Sequence, residues 1–226
     1  MFPEGPNVPS PGAWREFTAN DIWLRVVTQV ATVGGWGPVK AMMNDRPDLV
    51  RRLGYRRLCA LPGRAAVRTS VWRVLRRAGV RYVARDETRC NKSNSLAKNL
   101  EVLRDHPGGP RGFVRAIASL QGPDLTRKRI EFVASRLHYV KNKGARDFLT
   151  TGLGLSRDSI AFDIRVLGSL RAIGIRIPKR VPADADAYAH FEQLLLKKLC
   201  RPLRLRGVDL DQLLFNHYAE IKKMRF

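Results

Sequence analysis

Lys143 and Asp163 stand twenty positions apart (143 to 163) within Ile130–Gly174, which reads IEFVASRLHYVKNKGARDFLTTGLGLSRDSIAFDIRVLGSLRAIG. A lysine attacks a carbon centre only as the neutral amine, so its pKa must fall through desolvation or neighbouring positive potential. Lys143 opens an expected helix, where the dipole is positive, and Lys141 is two residues away. Both effects are expected to free the amine. A carboxylate does the complementary work, stabilising the positive charge that develops on a sugar as an N-glycosidic bond breaks. Asp163 suits that task. Attack by Lys143 on an electrophilic sugar carbon would give a Schiff base. Each residue has a plainer reading: a phosphate contact for Lys143, and the N-cap of the next helix for Asp163. Asp147, nearer in sequence, is expected to be a surface or capping group.

The elements that must position this pair follow from periodicity. Ile130, Val133, Leu137 and Val140 form one apolar stripe, Lys141-Asn142-Lys143-Gly144 interrupts it, and Ala145, Phe148 and Leu149 begin another. That pattern predicts a helix, a tight hairpin and a second helix over 125–151, followed by a helix over 158–173 that carries Asp163.

These residues resemble the helix-hairpin-helix DNA glycosylase superfamily, whose hairpin pattern Leu-Pro-Gly-Val-Gly-x-Lys-x-Ala is matched by Leu137, Val140, Lys143 and Ala145 without a gap. The similarity is closest to the small archaeal-type 8-oxoguanine DNA glycosylase/AP lyases, with their Ala-x-x-Phe-Leu run (Ala145, Phe148, Leu149) and later Asp beside Arg (Asp163, Arg165). Leu210-Asp211-Gln212-Leu213-Leu214-Phe215 is similar to the family's Leu-Asp-x-x-Leu-Trp helix. The resemblance implies an all-α, two-lobed fold without an iron–sulfur cluster, with Lys143 as nucleophile, Asp163 as catalytic carboxylate, and no cofactor or metal. It also implies duplex DNA containing a modified base as partner, with that base flipped out of the stack. The family analogy favours an oxidised purine, and enzymatically modified or phage hypermodified bases stay open. Tyr139 and Lys141 stand at the hairpin's glycine positions, so Lys141, with Asn142 and Gly144, is expected to supply the phosphate contact. Phe215 replaces the family's Trp and Phe226 its C-terminal Lys. Candidates for the base pocket or the wedge that fills the gap are Gln29, Trp36, Asp211 and Phe215.

The charge balance is consistent with a polyanionic partner: 42 basic against 20 acidic residues give +22. Residues 51–90 carry twelve arginines against Asp86 and Glu87. Within them Val67, Val71, Val74, Leu75 and Val80 mark an amphipathic helix whose other face presents Arg68, Arg73, Arg76 and Arg77, guanidiniums suited to phosphate. Arg165 is expected to add a contact beside the catalytic aspartate.

With 226 residues and 44% hydrophobic content, the chain is long enough to bury a core. Residues 1–16, rich in Pro and Gly, read as a flexible leader, and 17–226 as a single domain. Ile22, Trp23, Val26, Val27, Val30 and Val33 predict a core helix over 17–33 with Thr18 and Asp21 as a capping box, a strand being the competing reading. Further helices are predicted at 94–106, 110–121, 124–140, 144–151, 158–173, 185–200 and 208–222. Cys59, Cys90 and Cys200, and the four histidines, lack metal-ligand or triad spacing. No apolar run is long enough for a membrane span. A monomer in the cytoplasm, associated with the nucleoid, is therefore expected. The alternatives are a non-catalytic helix-hairpin-helix DNA-binding module and an RNA-associated basic protein.

Overall fold

The computed structural model describes residues 8–224, and every regular element among them is helical. None of these helices is long and apolar enough to cross a membrane. The chain divides into two compact units, each described here by itself. One comprises Trp14–Gln121 with Phe132–Lys141; the other gathers Gly122–Glu131, the chain from Asn142 onward, and the described residues before Trp14.

The first unit is organised around α1 (Ala19–Ala31), which buries Ile22, Trp23, Val26, Val27, Val30 and Ala31. Thr18 and Asp21 form the expected capping box, with each side chain accepting from the other's backbone N–H. Its β-branched residues do not prevent the helix, because the stripe packs against neighbouring helices and tertiary burial overrides local propensity. The Trp23 indole donates to Leu53 O at 2.7 Å. Three short helices follow that periodicity did not reveal, α2 (Gly37–Asp45), α3 (Pro47–Arg52) and α4 (Tyr55–Cys59). Each buries only one or two apolar residues, too few to establish a period. Pro38 and Pro47 sit in the first turns, where a missing N–H costs nothing.

Next come α5 (Gly63–Arg77), α6 (Asn91–Asp105) and α7 (Gly109–Ala118). The valine stripe of α5 is buried as expected, and the helix ends in a Schellman turn: Val80 N–H reaches Leu75 O, Gly79 N–H reaches Arg76 O, and Gly79 has φ +68°. Lys92, on α6, is fully buried. Its ammonium donates to Ala31 O at 2.7 Å and Val33 O at 2.6 Å, capping the negative end of α1 from inside the core.

α8 (Leu125–Arg136) starts in the second unit and ends in the first. The second unit then contains α9 (Asn142–Asp147), continued by a π-helical turn through Gly152, and α10 (Ile164–Ala172). α11 (Ala185–Leu195) is likewise continued by a π-turn to Cys200, and α12 (Gly207–Asn216) and α13 (Tyr218–Ile221) complete it. Their core holds Phe162, Leu170, Tyr188, Phe191, Leu195 and Leu214. Gly168 lets α10 lie against Tyr218, whose ring would come within 2.5 Å of any Cβ there.

Residues 1–7 of the expected leader lie outside the described residues. Residues 8–16 are not free chain: Ala13–Arg15 form a 3-10 turn, and Pro9 O accepts from Arg157 Nη2 at 3.4 Å. The expected helix over 158–173 begins only at Ile164, because side chains from distant helices hold the amides of 160–162 in place of helical carbonyls.

Lys92 gives the first prediction. Desolvation pulls its pKa down to about 8, so between about pH 8 and the usual lysine range the unfolded chain binds more protons than the folded one, and stability rises with pH. Urea unfolding is expected to show that wild type, relative to Lys92→Met, gains on the order of 2 kcal/mol from pH 7 to pH 9.5. A difference constant with pH would mean that Lys92 is not buried as an ammonium.

Candidate active site

Around Lys143, α8 ends at Arg136, residues 137–141 form a turn, and α9 begins at Asn142. Leu137 and Val140 in the turn and Ala145, Phe148 and Leu149 after it are buried. Asn99, fully buried, clamps the turn: its Nδ2 donates to His138 O at 3.0 Å and its Oδ1 accepts from His138 N at 2.6 Å. Tyr139 has φ +65°. The glycine conformation of the hairpin pattern therefore survives at a tyrosine, at a steric cost of about 1–2 kcal/mol.

What fixes the following helix is a buried ion pair. Arg146 and Glu192 have side chains only 3% and 4% exposed. Arg146 Nε donates to Glu192 Oε1 at 2.9 Å and Nη2 to Oε2 at 2.7 Å, a two-pronged contact between α9 and α11. Arg146 Nη1 also reaches Asn142 O, and the guanidinium lies over the Tyr188 ring at 3.8 Å. Glu192 accepts further from Ser159 Oγ at 3.0 Å and Ile160 N at 2.7 Å. Tyr188 OH accepts from Phe162 N and donates to Ile160 O, and Asp211 Oδ1 accepts from Ala161 N at 3.2 Å. Residues 159–162 are thus held outside any helix by side chains, and the chain enters α10 at a fixed point.

That point is Asp163, the N-cap of α10, whose carboxylate accepts from Val166 N at 2.8 Å. Capping does not remove it from chemistry, because one oxygen suffices for the cap and Asp163 is only half-buried. Lys143, one turn before Arg146, is paired with Asp147, and Asp163 and Asp211 also act on its charge. The structure therefore gathers Lys143, Asp163 and Asp211, and adds Asp147, which was expected at the surface. Asp147 is 17% exposed against 44% for Lys143. Its i,i+4 spacing from Lys143 was the available signal.

The electrostatics differ from expectation at Lys143. Burial pulls its pKa down, but the carboxyl groups of Asp147, then Asp163 and Asp211, outweigh burial and hold it above the ordinary lysine value. Burial pushes the Asp147 carboxyl up, against the pull of Lys143 and with added repulsion from Asp163. Asp211, 5% exposed, is raised well above the carboxylate range by burial first and by Asp147 next. The free site thus favours an ammonium at Lys143, and Asp211 holds a proton more readily than an ordinary aspartate. Once protonated, such a group donates a hydrogen bond where a carboxylate can only accept.

Among the other expected residues, Arg165 and Phe215 meet, the guanidinium 4.8 Å above the ring, and exposed Ile164 stands beside Asp163. Asn142 and Gly144 are half-buried on α9 and Lys141 is exposed. Gln29 and Trp36 belong to the first unit, half-buried and exposed respectively. On α5, Arg73, Arg76 and Arg77 are exposed. Arg68 is not an open guanidinium: it pairs with Glu87 at 3.5 Å, which sits close enough to neutralise it. Among the described residues no group of three or more His, Cys, Asp or Glu is arranged to hold a metal ion.

No family model, curated protein or solved structure matches the chain.

Because Arg146 is buried, removing its counter-charge leaves a cation without a partner. Glu192→Gln, which keeps the shape, is expected to lower unfolding free energy by about 3 kcal/mol. Urea titration checks this, and a loss below about 1 kcal/mol would show that the pair is not what holds α9.

Proposed function

We propose that the chain is a DNA glycosylase of the helix-hairpin-helix type, with two lobes, that excises a modified base from duplex DNA and opens the resulting sugar as an AP lyase. The observation that carries this reading is the meeting of Lys143, at the start of a hairpin's second helix, with Asp163 and Asp211 from two other segments. The net charge of +22 supports a nucleic-acid partner.

In this reading the base leaves with the glycosidic electron pair, and the cation forming at C1′ is stabilised by Asp163. Protonated Asp211 donates to the departing base, and Phe215 and Ile164 supply apolar surface beside it. Lys143 gives one proton to Asp147 to become the amine, and its nitrogen then bonds C1′. A second proton passes to O4′ as the sugar ring opens, leaving the Schiff base from which the 3′ phosphate is eliminated. The favoured substrate is an oxidised purine; an enzymatically modified or phage hypermodified base is the second choice. One observation favours a different reading, a non-catalytic hairpin that only grips DNA. Lys143 is held as a cation, which suits phosphate binding.

Borohydride trapping separates the two. On duplexes carrying a panel of modified bases, wild type is expected to form a covalent adduct, and Lys143→Gln to form none. Asp163→Asn is expected to bind DNA nearly as well as wild type while losing base release by at least about a hundredfold, since the lost charge acts mainly in the transition state. Asp147→Asn is expected to shift trapping toward lower pH, because the carboxylate that does most to hold the Lys143 pKa up is lost. Excision at wild-type rates by both Lys143→Gln and Asp163→Asn would refute the site.

Binding to unmodified duplex is expected to fall with salt by about 0.9 in log K per log unit for each phosphate neutralised. Arg73→Glu with Arg77→Glu should weaken all duplexes alike and flatten that slope; an unchanged slope would remove α5 from the interface.

A further inference from the structure

The most exposed tyrosine in the first unit is also one of its most constrained. Tyr82 is 75% exposed and has φ +57°, a conformation that bulky residues rarely adopt. It has no core to fill. Its ring rests instead on Gly34, at φ +96°: a Cβ on Gly34 would lie 2.3 Å from Tyr82 Cε2 and 2.4 Å from Cδ2. Only glycine permits that seat. Two cations hold the seat itself, as Arg81 Nη1 donates to Gly34 O at 3.2 Å and buried Lys92 donates to Val33 O at 2.6 Å. Trp36, two residues further along the same loop, is 46% exposed.

Strained backbone kept for a contact that still leaves Tyr82 75% exposed calls for a functional explanation. A rigid, outward aromatic ring beside a fixed guanidinium offers two attractions to one kind of partner. The ring offers a π-face to a nucleobase, and Arg81 at its seat, in a segment whose charge from Arg73 to Arg89 is dominated by arginines, attracts the phosphates that flank a base. A paired base is stacked on both faces already, so the vacant face must belong to an unpaired one. A protein partner with an apolar surface would meet a cationic rim; a polyanion finds it complementary.

We propose that Tyr82, seated on Gly34 and flanked by Arg81, is a stacking site for an unpaired nucleobase of DNA. This rests on the DNA-binding part of the function proposed above and not on base excision. The test uses the full chain with gapped duplexes carrying 2-aminopurine, a base whose fluorescence is quenched on stacking, in the gap. Tyr82→Gly suits the test because glycine adopts the observed backbone conformation more readily than tyrosine, so the fold is kept while the ring is lost.

Wild type is expected to quench the probe. Tyr82→Gly should lose the quenching and bind gapped duplex about tenfold or more weakly, in line with loss of one base–aromatic stack. Tyr82→Phe should behave as wild type, and binding to fully paired duplex and the salt slope should be unchanged in both variants. Wild-type quenching by Tyr82→Gly, or an equal loss on gapped and paired duplex, would overturn the proposal. Quenching is read with Asp163→Asn as well as wild type, so that release of the 2-aminopurine itself cannot enter the signal. A chain that quenches the probes but never excises therefore refutes the glycosylase alone, and one that excises without quenching refutes the stacking site alone.

Discussion

The second unit depends on keeping one arginine and one glutamate out of water. A buried ion pair is not in itself a source of stability, since desolvating both charges offsets most of their attraction. Here the remaining hydrogen-bonding capacity is used as well. Glu192 accepts from Arg146, Ser159 and Ile160, and Arg146 also bonds Asn142 and lies on Tyr188. A pair so fully satisfied is compatible with only one arrangement of its neighbours, which is geometric specificity. Lys143 and Asp147 flank Arg146 on α9, and Asp163 follows directly from the residues that Glu192, Tyr188 and Asp211 hold. The buried pair therefore fixes the positions of the groups able to do chemistry without touching any of them.

The local charge at those groups opposes that of the whole chain. A molecule with a net charge of +22 gathers three aspartates around one lysine. Phosphates are drawn to the arginine-rich surface by long-range attraction, whereas the carboxyl cluster repels them at close range and favours cationic species. An oxocarbenium-like sugar is such a species, and a backbone phosphate is not. Burial sorts the carboxyls further. Asp163 stays half-exposed at a helix start, while Asp211 is buried and holds a proton more readily. Three residues of one type thus acquire different roles from their surroundings.

Local pattern made part of this legible. The stripes at Ile22–Val30 and Val67–Leu75, the capping box at Thr18 and the stripes on either side of Lys143 all involve residues within a few positions of one another, and helices formed there, although the one expected over 124–140 ends at Arg136, before Leu137 and Val140. Longer-range effects left no such trace. Residues 158–163 read as helix because Ile160 and Phe162 are apolar. Their amides bond to Glu192, Tyr188 and Asp211, between 26 and 50 positions along the chain. The burial of Lys92 is explained by the carbonyls left open at the end of α1, 61 and 59 positions away. At Tyr139 residue type suggested that the glycine geometry was lost, yet the backbone retains it. Side-chain identity constrains φ through a modest steric cost, which neighbouring contacts such as the Asn99 clamp can offset.

The raised pKa of Lys143 is compatible with nucleophilic catalysis once the pair is treated as a unit. A lysine and an aspartate in direct contact share their titration, and neither has a pKa of its own. Desolvating the lysine alone would make it neutral at all times, including before DNA arrives. Desolvating its partner has a subtler effect. Asp147, pushed up by burial, is a ready acceptor for the proton of Lys143, but while the site is empty the carboxylates of Asp147 and Asp163 favour keeping that proton on nitrogen. On the proposed function, a cation developing at C1′ beside Asp163 would change the balance, because it would repel the ammonium and spend the negative charge that had stabilised it. The proton would then move to Asp147 as the sugar becomes electrophilic. On the proposed function, the buried aspartate thus makes the amine available when there is a carbon for it to attack.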